Sequence, residues 1–277
     1  MGQVVHYWLE GQEYQRTLPD AAELVLPGVP WGEHWTLFSP AYWLSQYWMC
    51  GLEDAVHSPY KARGSLAEEI TFCLLGGFGI TAELSTAAFE ACCSAGLVNR
   101  LETSAEIWQR QLQEPLQLNG RLHRYRYPNQ KARYLAKAMA LLHANSLDQC
   151  RGKALRDELL RIDGVGYKTA GWVARNFLDA DDVAILDIHL IRAGQLCNLF
   201  SVQDRVERDY VPMEAKFVEF CKALNVRPAV LDCLIWDQMR SFGKVALEAL
   251  DRKKFGANPA PSKHRSKTTQ LQLQLSI

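Results

Sequence analysis

Between Leu160 and Ala170 the chain stops one helix and starts another within a few residues, and this break constrains the fold more than any other feature. The run Leu160-Arg161-Ile162-Asp163-Gly164-Val165-Gly166-Tyr167-Lys168-Thr169-Ala170 sets helix-forming residues on both sides of two glycines. Glycine reaches positive φ without steric penalty, so Gly164 and Gly166 allow a tight turn with a new helix beginning at once. That helix points its first N–H groups outward, with the positive end of its dipole behind them. An anion suits such a terminus, and a phosphate can come close to the amides of Gly164, Val165 and Gly166 because neither glycine carries a side chain. A turn of this kind holds a nucleic-acid backbone without reading its bases. The same pattern also serves as a plain packing turn.

The surrounding pattern is helical as well. Ser65-Leu66-Ala67-Glu68 has the form of a capping box and opens a helix through Cys73. Ser39-Pro40 reads as another helix start, with Ser39 as cap and Pro40 in the first position. Further helices are expected at 83–95, 103–113, 130–144, 151–161, 167–178, 187–198, 204–224 and 228–250. Leu26-Pro27-Gly28-Val29-Pro30-Trp31 is expected to be loop, because two prolines and a glycine oppose regular pairing. Val183-Ala184-Ile185-Leu186 is a short apolar extended run, and strand-like alternation is confined to the first 20 residues. The fold class is mainly α. After Gly256 the composition turns to Pro, Ser, basic residues and Gln-Leu repeats, which marks 255–277 as a basic flexible tail.

No apolar run reaches membrane-spanning length, and Met1-Gly2-Gln3-Val4-Val5-His6 lacks the basic-then-apolar plan of a signal peptide. The expectation is a soluble, cytoplasmic monomer. Eight cysteines form neither CxxC pairs nor an iron–sulfur cluster pattern, so buried free thiols are expected and no metal. Net charge is zero, which by itself argues against nucleic acid, but the charges are unevenly spread. Residues 1–60 hold seven carboxylates against Arg16 alone. Between Glu114 and Asp148 there is no acid, while Arg121, Arg124, Arg126, Lys131, Arg133 and Lys137 are all basic. That stretch suits a phosphate backbone, or else a solvated helix face.

Two residues could carry chemistry. Lys168 falls in the first turn of the restarted helix, where the dipole disfavours an ammonium and Tyr167 or Trp172 could bury it. A neutral amine is a nucleophile able to form an imine; the alternative is a surface lysine or a phosphate contact. Asp187 follows the 183–186 run and precedes Ile188-His189-Leu190, so it can cap that helix. The helix from Lys168 runs about 18 Å from the turn, and the chain after it is long enough to return, so both residues can share a cleft.

Taken together these residues resemble the helix–hairpin–helix DNA glycosylases. Gly164-Val165-Gly166-Tyr167-Lys168-Thr169-Ala170 is similar to the hairpin of endonuclease III, and Asp187-Ile188-His189, nineteen residues after the lysine, resembles the 8-oxoguanine DNA glycosylases. The likeness is strong over about 125–195 and diffuse over 65–250; Asp163 departs from it, standing where the family usually has proline. It implies two helical lobes with the active site in the cleft between them: a helical lobe at 65–180, a second at 181–254, and the segment 1–64 packing with the second. It also implies a bifunctional glycosylase and AP lyase acting on DNA, in which the damaged nucleotide is rotated out of the duplex. Lys168 would attack C1′ and form an imine, Asp187 would stabilise the cationic sugar, and His189 would contact a phosphate. No cofactor is implied beyond a monovalent cation that the hairpin could hold with DNA bound.

Substrate choice follows from three further residues. Trp172, one turn after Lys168, could wall the base pocket. Asp232 and Trp236, also one turn apart, are similar to the pair that binds the base in archaeal 8-oxoguanine glycosylases. A carboxylate accepts both N1–H and N2–H of guanine, and a tryptophan stacks on the ring; otherwise Trp236 is core and Asp232 surface. In Tyr127-Pro128-Asn129-Gln130-Lys131-Ala132-Arg133-Tyr134, Gln130 and Lys131 stand where the animal-type enzymes place a wedging tyrosine and an arginine, with Arg133 as a further DNA contact. Gly76-Gly77-Phe78-Gly79 lies near the place of their cytosine readers, which implies weak opposite-base selectivity and leaves single-stranded DNA open as substrate. Two rival readings stand beside this one: a glycosylase for another lesion or a modified base in foreign DNA, and a non-catalytic helix–hairpin–helix DNA-binding module.

Overall fold

The computed structural model describes residues 2–53, 64–77, 79–144, 147 and 150–255. The expected tail from residue 256 lies outside these, as do Asp54, Phe78 and Asp148.

The amino-terminal alternation forms a hairpin of β1 (Gln3–Leu9) and β2 (Gln12–Leu18), turned at Glu10 and Gly11, both at positive φ. Gln3, Val5 and Tyr7 face inward, while Val4, His6 and Trp8 face solvent. Buried Gln3 donates to the carbonyls of Pro19 and Gly32 and accepts from the His34 amide, tying the hairpin to the next loop. The Pro-Gly segment expected as loop instead holds a short antiparallel pair, β3 (Leu24–Leu26) and β4 (Val29–Pro30), with an irregular register. Two prolines and a glycine limit that pair to a few residues without abolishing it. A third hairpin, β5 (Leu116–Leu118) and β6 (Arg121–His123), was not anticipated. Its signal was Asn119-Gly120, whose positive φ values suit a two-residue turn between strands only three residues long.

Helices make up the rest. Ser39 caps α1 (Pro40–Met49), its hydroxyl accepting the Tyr42 amide at 3.0 Å, and Tyr42, Trp43, Leu44 and Tyr47 are buried. The capping box at the start of α2 (Leu66–Leu75) is complete: Ser65 Oγ accepts the Glu68 amide at 3.2 Å, and Glu68 Oε2 accepts the Ser65 amide at 2.6 Å. Ser65→Ala is therefore expected to lower unfolding free energy by about 1 kcal/mol in urea titrations, with turnover unchanged. Then come α3 (Ala82–Ser94), α4 (Ala105–Gln113), α5 (Pro128–Ala144), α6 (Gly152–Leu159) and α7 (Tyr167–Leu178). The last four are α8 (Ile188–Leu196), α9 (Val206–Ala223), α10 (Pro228–Phe242) and α11 (Lys244–Phe255). The single helix expected at 228–250 is two, because Gly243 takes φ 44° and redirects the chain. Residues 183–186, expected as an extended run, belong to no helix or strand, and after them the Asp187 amide turns back to donate to the Ile185 carbonyl at 2.7 Å.

Buried apolar side chains fall into two clusters. One gathers Val5, Tyr7, Trp31, Trp43 and Tyr47 with Leu190, Phe200, Phe217, Phe220, Leu231 and Ile235. The other is built between Leu66 and Val183 around Ile70, Leu74, Trp108, Leu135, Met139 and Leu155. The hairpin and α1 thus share a core with α8–α11, and the run 183–186 contributes to both clusters, Val183 to one and Ala184 and Leu186 to the other. Cys92, Cys197, Cys221 and Cys233 are buried, while Cys50 is exposed.

Polar groups also cross between the clusters. Arg156 of α6 and Glu214 of α9, only 3% and 0% exposed, form an ion pair at 2.7 Å, and the other Glu214 oxygen accepts the Ala184 amide at 3.2 Å. Burial pushes the Glu214 carboxyl up, against the pull of Arg156. Desolvating such a pair offsets most of its Coulomb gain, so its effect here is to fix α6, α9 and residue 184 in one arrangement.

Candidate active site

The turn between α6 and α7 is built around one glycine at positive φ. Gly164 sits at φ 81°, and a Cβ there would lie 2.2 Å from the ring of Tyr134, so both backbone and packing exclude a side chain. Gly166 differs from expectation: its φ is −99°, and a Cβ would meet nothing within 4 Å. What Gly166 leaves open is space in front of α7, whose first amides receive no side-chain cap. Val165 between them is buried, its amide donating to the Ile162 carbonyl at 3.0 Å. Helix α5 braces the turn, with Tyr134 over Gly164 and Lys137 paired to Asp163. That ion pair holds the position where resemblance would place a rigid proline.

Lys168 is the second residue of α7 and is exposed, and no described side chain bonds to it. The expected burial beneath Tyr167 or Trp172 does not occur. The Tyr167 ring turns instead to stack on Tyr210 at 5.2 Å, with the Arg156 guanidinium 5.2 Å from it, and Trp172 is exposed. Tyr210 in turn donates to the Ala184 carbonyl at 2.8 Å and accepts the Leu186 amide at 3.3 Å. Lys168, Gly171, Trp172 and Arg175 recur at helical spacing and form one face of α7. On that face Gly171 lets the helix approach the Ala184 carbonyl, since a Cβ would sit 3.3 Å from its oxygen. Lys168 therefore lies on the face of α7 that packs against the segment leading to Asp187.

Asp187 caps α8. Its Oδ1 accepts the amides of His189 at 2.8 Å and Leu190 at 2.9 Å, while Oδ2 accepts no hydrogen bond from any described residue. It is half-buried and forms no ion pair with Lys168. The arrangement is an exposed amine on α7 and a carboxylate held by one oxygen at the head of α8, with Gly171 of α7 against the Ala184 carbonyl three residues before that carboxylate.

The remaining expected residues separate into two groups. His189 meets the Trp236 ring edge-on at 6.2 Å, and its buried Nδ1 has no partner among the described residues. Arg240 stacks over Trp236 at 4.7 Å. Gln238, on the same helix, accepts from Tyr42 at 2.7 Å and donates to Gln46 at 2.9 Å, a polar link that sequence reasoning missed because its members lie far apart in the chain. Asp232 is only 3% exposed and accepts from Arg175 at 2.6 Å. Arg175 was also missed, although it falls seven residues after Lys168 on the same helical face.

The basic stretch is partly spoken for. Lys131 donates to the Gly76 carbonyl at 2.9 Å, and burial lowers its ammonium's hold on the proton. Gln130 donates to the Tyr134 hydroxyl at 2.8 Å, and Arg126 to the Gly79 carbonyl at 3.3 Å. Arg121, Arg124 and Arg133 are exposed. Among the described residues no cluster of His, Cys, Asp and Glu is arranged to hold a metal ion, and no helix is long and apolar enough to cross a membrane.

Comparison with known proteins adds four findings. A family model described as 8-oxoguanine DNA glycosylase matches residues 57–226. An 8-oxoguanine DNA glycosylase/AP lyase of Thermoplasma volcanium is 28% identical over 183 residues, which cover 64% of this chain and 80% of that one. One from Picrophilus torridus is 31% identical over 118 residues, 40% of this chain and 55% of that one. A crystal structure of an 8-oxoguanine DNA glycosylase of Methanocaldococcus jannaschii superposes with a TM-score of 0.46 at 23% identity, covering 65% of this chain and 77% of that one.

Proposed function

Because the chain belongs to the 8-oxoguanine DNA glycosylase family, whose model spans residues 57–226, we propose that it excises a damaged purine from DNA and then cuts the strand. The relatives' names support 8-oxoguanine as the base. The observation that carries the mechanism is the face of α7 on which Lys168 and Gly171 lie, with Gly171 closed onto the segment that ends in Asp187.

In this reading the uncapped first amides of α7 hold a phosphate, and the nucleotide turns out of the stack. The Lys168 nitrogen bonds to C1′ as the bond from C1′ to the base breaks, and the base leaves with a proton. The sugar ring then opens to an imine. Loss of a proton from C2′ expels the 3′ phosphate, and water releases the lysine. Asp187, with Oδ2 open, stabilises the positive charge that develops on the sugar. Trp236 and Trp172 offer the aromatic surfaces for the displaced base, with His189 beside the first of them. The protein acts as a monomer, with Arg121, Arg124 and Arg133 along the DNA backbone.

Borohydride trapping on duplexes carrying 8-oxoguanine opposite each of the four bases tests this. A covalent adduct is expected with all four. Yields should differ by less than about fivefold, because one bidentate base reader contributes about 1–3 kcal/mol and none stands at Gln130 or Lys131. No adduct and no nicking on any of the duplexes would overturn the reading.

A further inference from the structure

The run 184–186 leads buried into Asp187 without belonging to a strand, so its backbone groups need other partners. Three buried side chains supply them. The Ala184 amide donates to Glu214 at 3.2 Å, the Ile185 amide to Asp232, and the Leu186 amide to the Tyr210 hydroxyl at 3.3 Å. That hydroxyl itself donates to the Ala184 carbonyl at 2.8 Å, so Tyr210 holds the run at both ends. It also lies beside Gly171 of α7, where a Cβ would sit 3.7 Å from the hydroxyl oxygen. The Tyr210 ring makes a separate contact. It stacks on Tyr167, the residue before Lys168, with centroids 5.2 Å apart and planes 18° from parallel. One side chain of α9 thus touches the chain neighbour of Lys168 through its ring and the chain neighbour of Asp187 through its hydroxyl.

Resting on the glycosylase reading, we infer that Tyr210 is a positioning residue that sets the Asp187 carboxylate relative to the first turn of α7. It acts through Leu186 on one side and Tyr167 on the other, and is itself buried. The attraction between a carboxylate and a cation forming on the sugar weakens as the two separate. A small displacement of Asp187 therefore costs rate, while the contacts that bind DNA stay as they are.

The test uses the full chain in single-turnover assays, at a temperature well below the melting point of every variant. Adduct formation is followed by borohydride trapping on 8-oxoguanine duplex and on duplex with a preformed abasic site. Tyr210→Phe keeps the ring on Tyr167 and removes the hydroxyl. It should slow both substrates by about tenfold and leave affinity for a tetrahydrofuran-containing duplex within about twofold. Placed in an Asp187→Asn chain, the same substitution should slow the reaction by less than about twofold, because the charge that the hydroxyl positions is already gone. A hydroxyl that served folding alone would cost the same factor in both backgrounds. Should Tyr210→Phe fail to fold, Tyr167→Leu carries the test, since it removes the stack and the Arg156 contact but leaves the hydroxyl bonds in place. It should slow the unmodified chain by about fivefold and the Asp187→Asn chain by less than about twofold. Equal slowing in the two backgrounds overturns the inference and leaves the glycosylase reading standing, as does a folded Tyr210→Phe chain as fast as the unmodified one. An unmodified chain that forms no adduct on either substrate overturns the glycosylase reading itself, and this inference with it.

Discussion

Lys168→Gln is expected to abolish the borohydride-trapped adduct and to slow strand cutting on the order of a thousandfold or more, while DNA binding and folding persist. An amide nitrogen has no lone pair available for attack at C1′, so no imine forms. The structure makes this substitution unusually clean. Lys168 is exposed on the first turn of α7, no described side chain bonds to it, and glutamine fits a helix about as well as lysine. Surface changes of this kind alter stability by no more than about 0.5 kcal/mol, so the melting temperature should move by no more than a few degrees. Affinity for a tetrahydrofuran-containing duplex should fall only by the loss of one cation. A trapped adduct of undiminished yield would assign the chemistry to another amine.

Local signals were legible in the sequence, and long-range polar partnerships were not. Ser65 and Glu68 announced the start of α2 because a capping box is closed within four residues. Gly164 announced the hairpin, but for a reason half seen: its φ is positive as expected, and Tyr134 fills the space where a side chain would be. The break at Gly243 was missed because apolar periodicity continues through both α10 and α11, and one glycine was outweighed by the pattern around it. Lys131 and Lys137 counted as free basic charge, yet one is bound to Gly76 and the other to Asp163, partners 55 and 26 residues away. The Arg175–Asp232 pair spans 57 residues. Helical spacing placed Arg175 on the face of Lys168, but no local pattern says what a buried arginine will meet. Lys168 and Asp187 stood out because the family motif fixes their spacing, not because their chemistry is visible in isolation.

Asp187→Asn should separate the two roles of that residue. Its Oδ1 accepts the His189 and Leu190 amides, and an asparagine oxygen does the same, since Asn caps helices as well as Asp. Stability should therefore be retained to within about 0.5 kcal/mol. Oδ2 is different, for it accepts no hydrogen bond from any described residue, and in asparagine one terminal group is a neutral amide. Turnover should fall on the order of a hundredfold or more through loss of the negative charge opposite the cationic sugar, with abasic-analogue binding unchanged. Asp187→Ala supplies the contrast: the same loss of turnover, and in addition about 1 kcal/mol of stability as the cap disappears. If Asn and Ala differ in stability but both turn over like the unmodified chain, Asp187 is a helix cap and nothing more. If Asn alone keeps turnover, the hydrogen bonds position α8 and the charge is dispensable. Only a loss common to both, with stability lost in one, places the carboxylate in the chemistry.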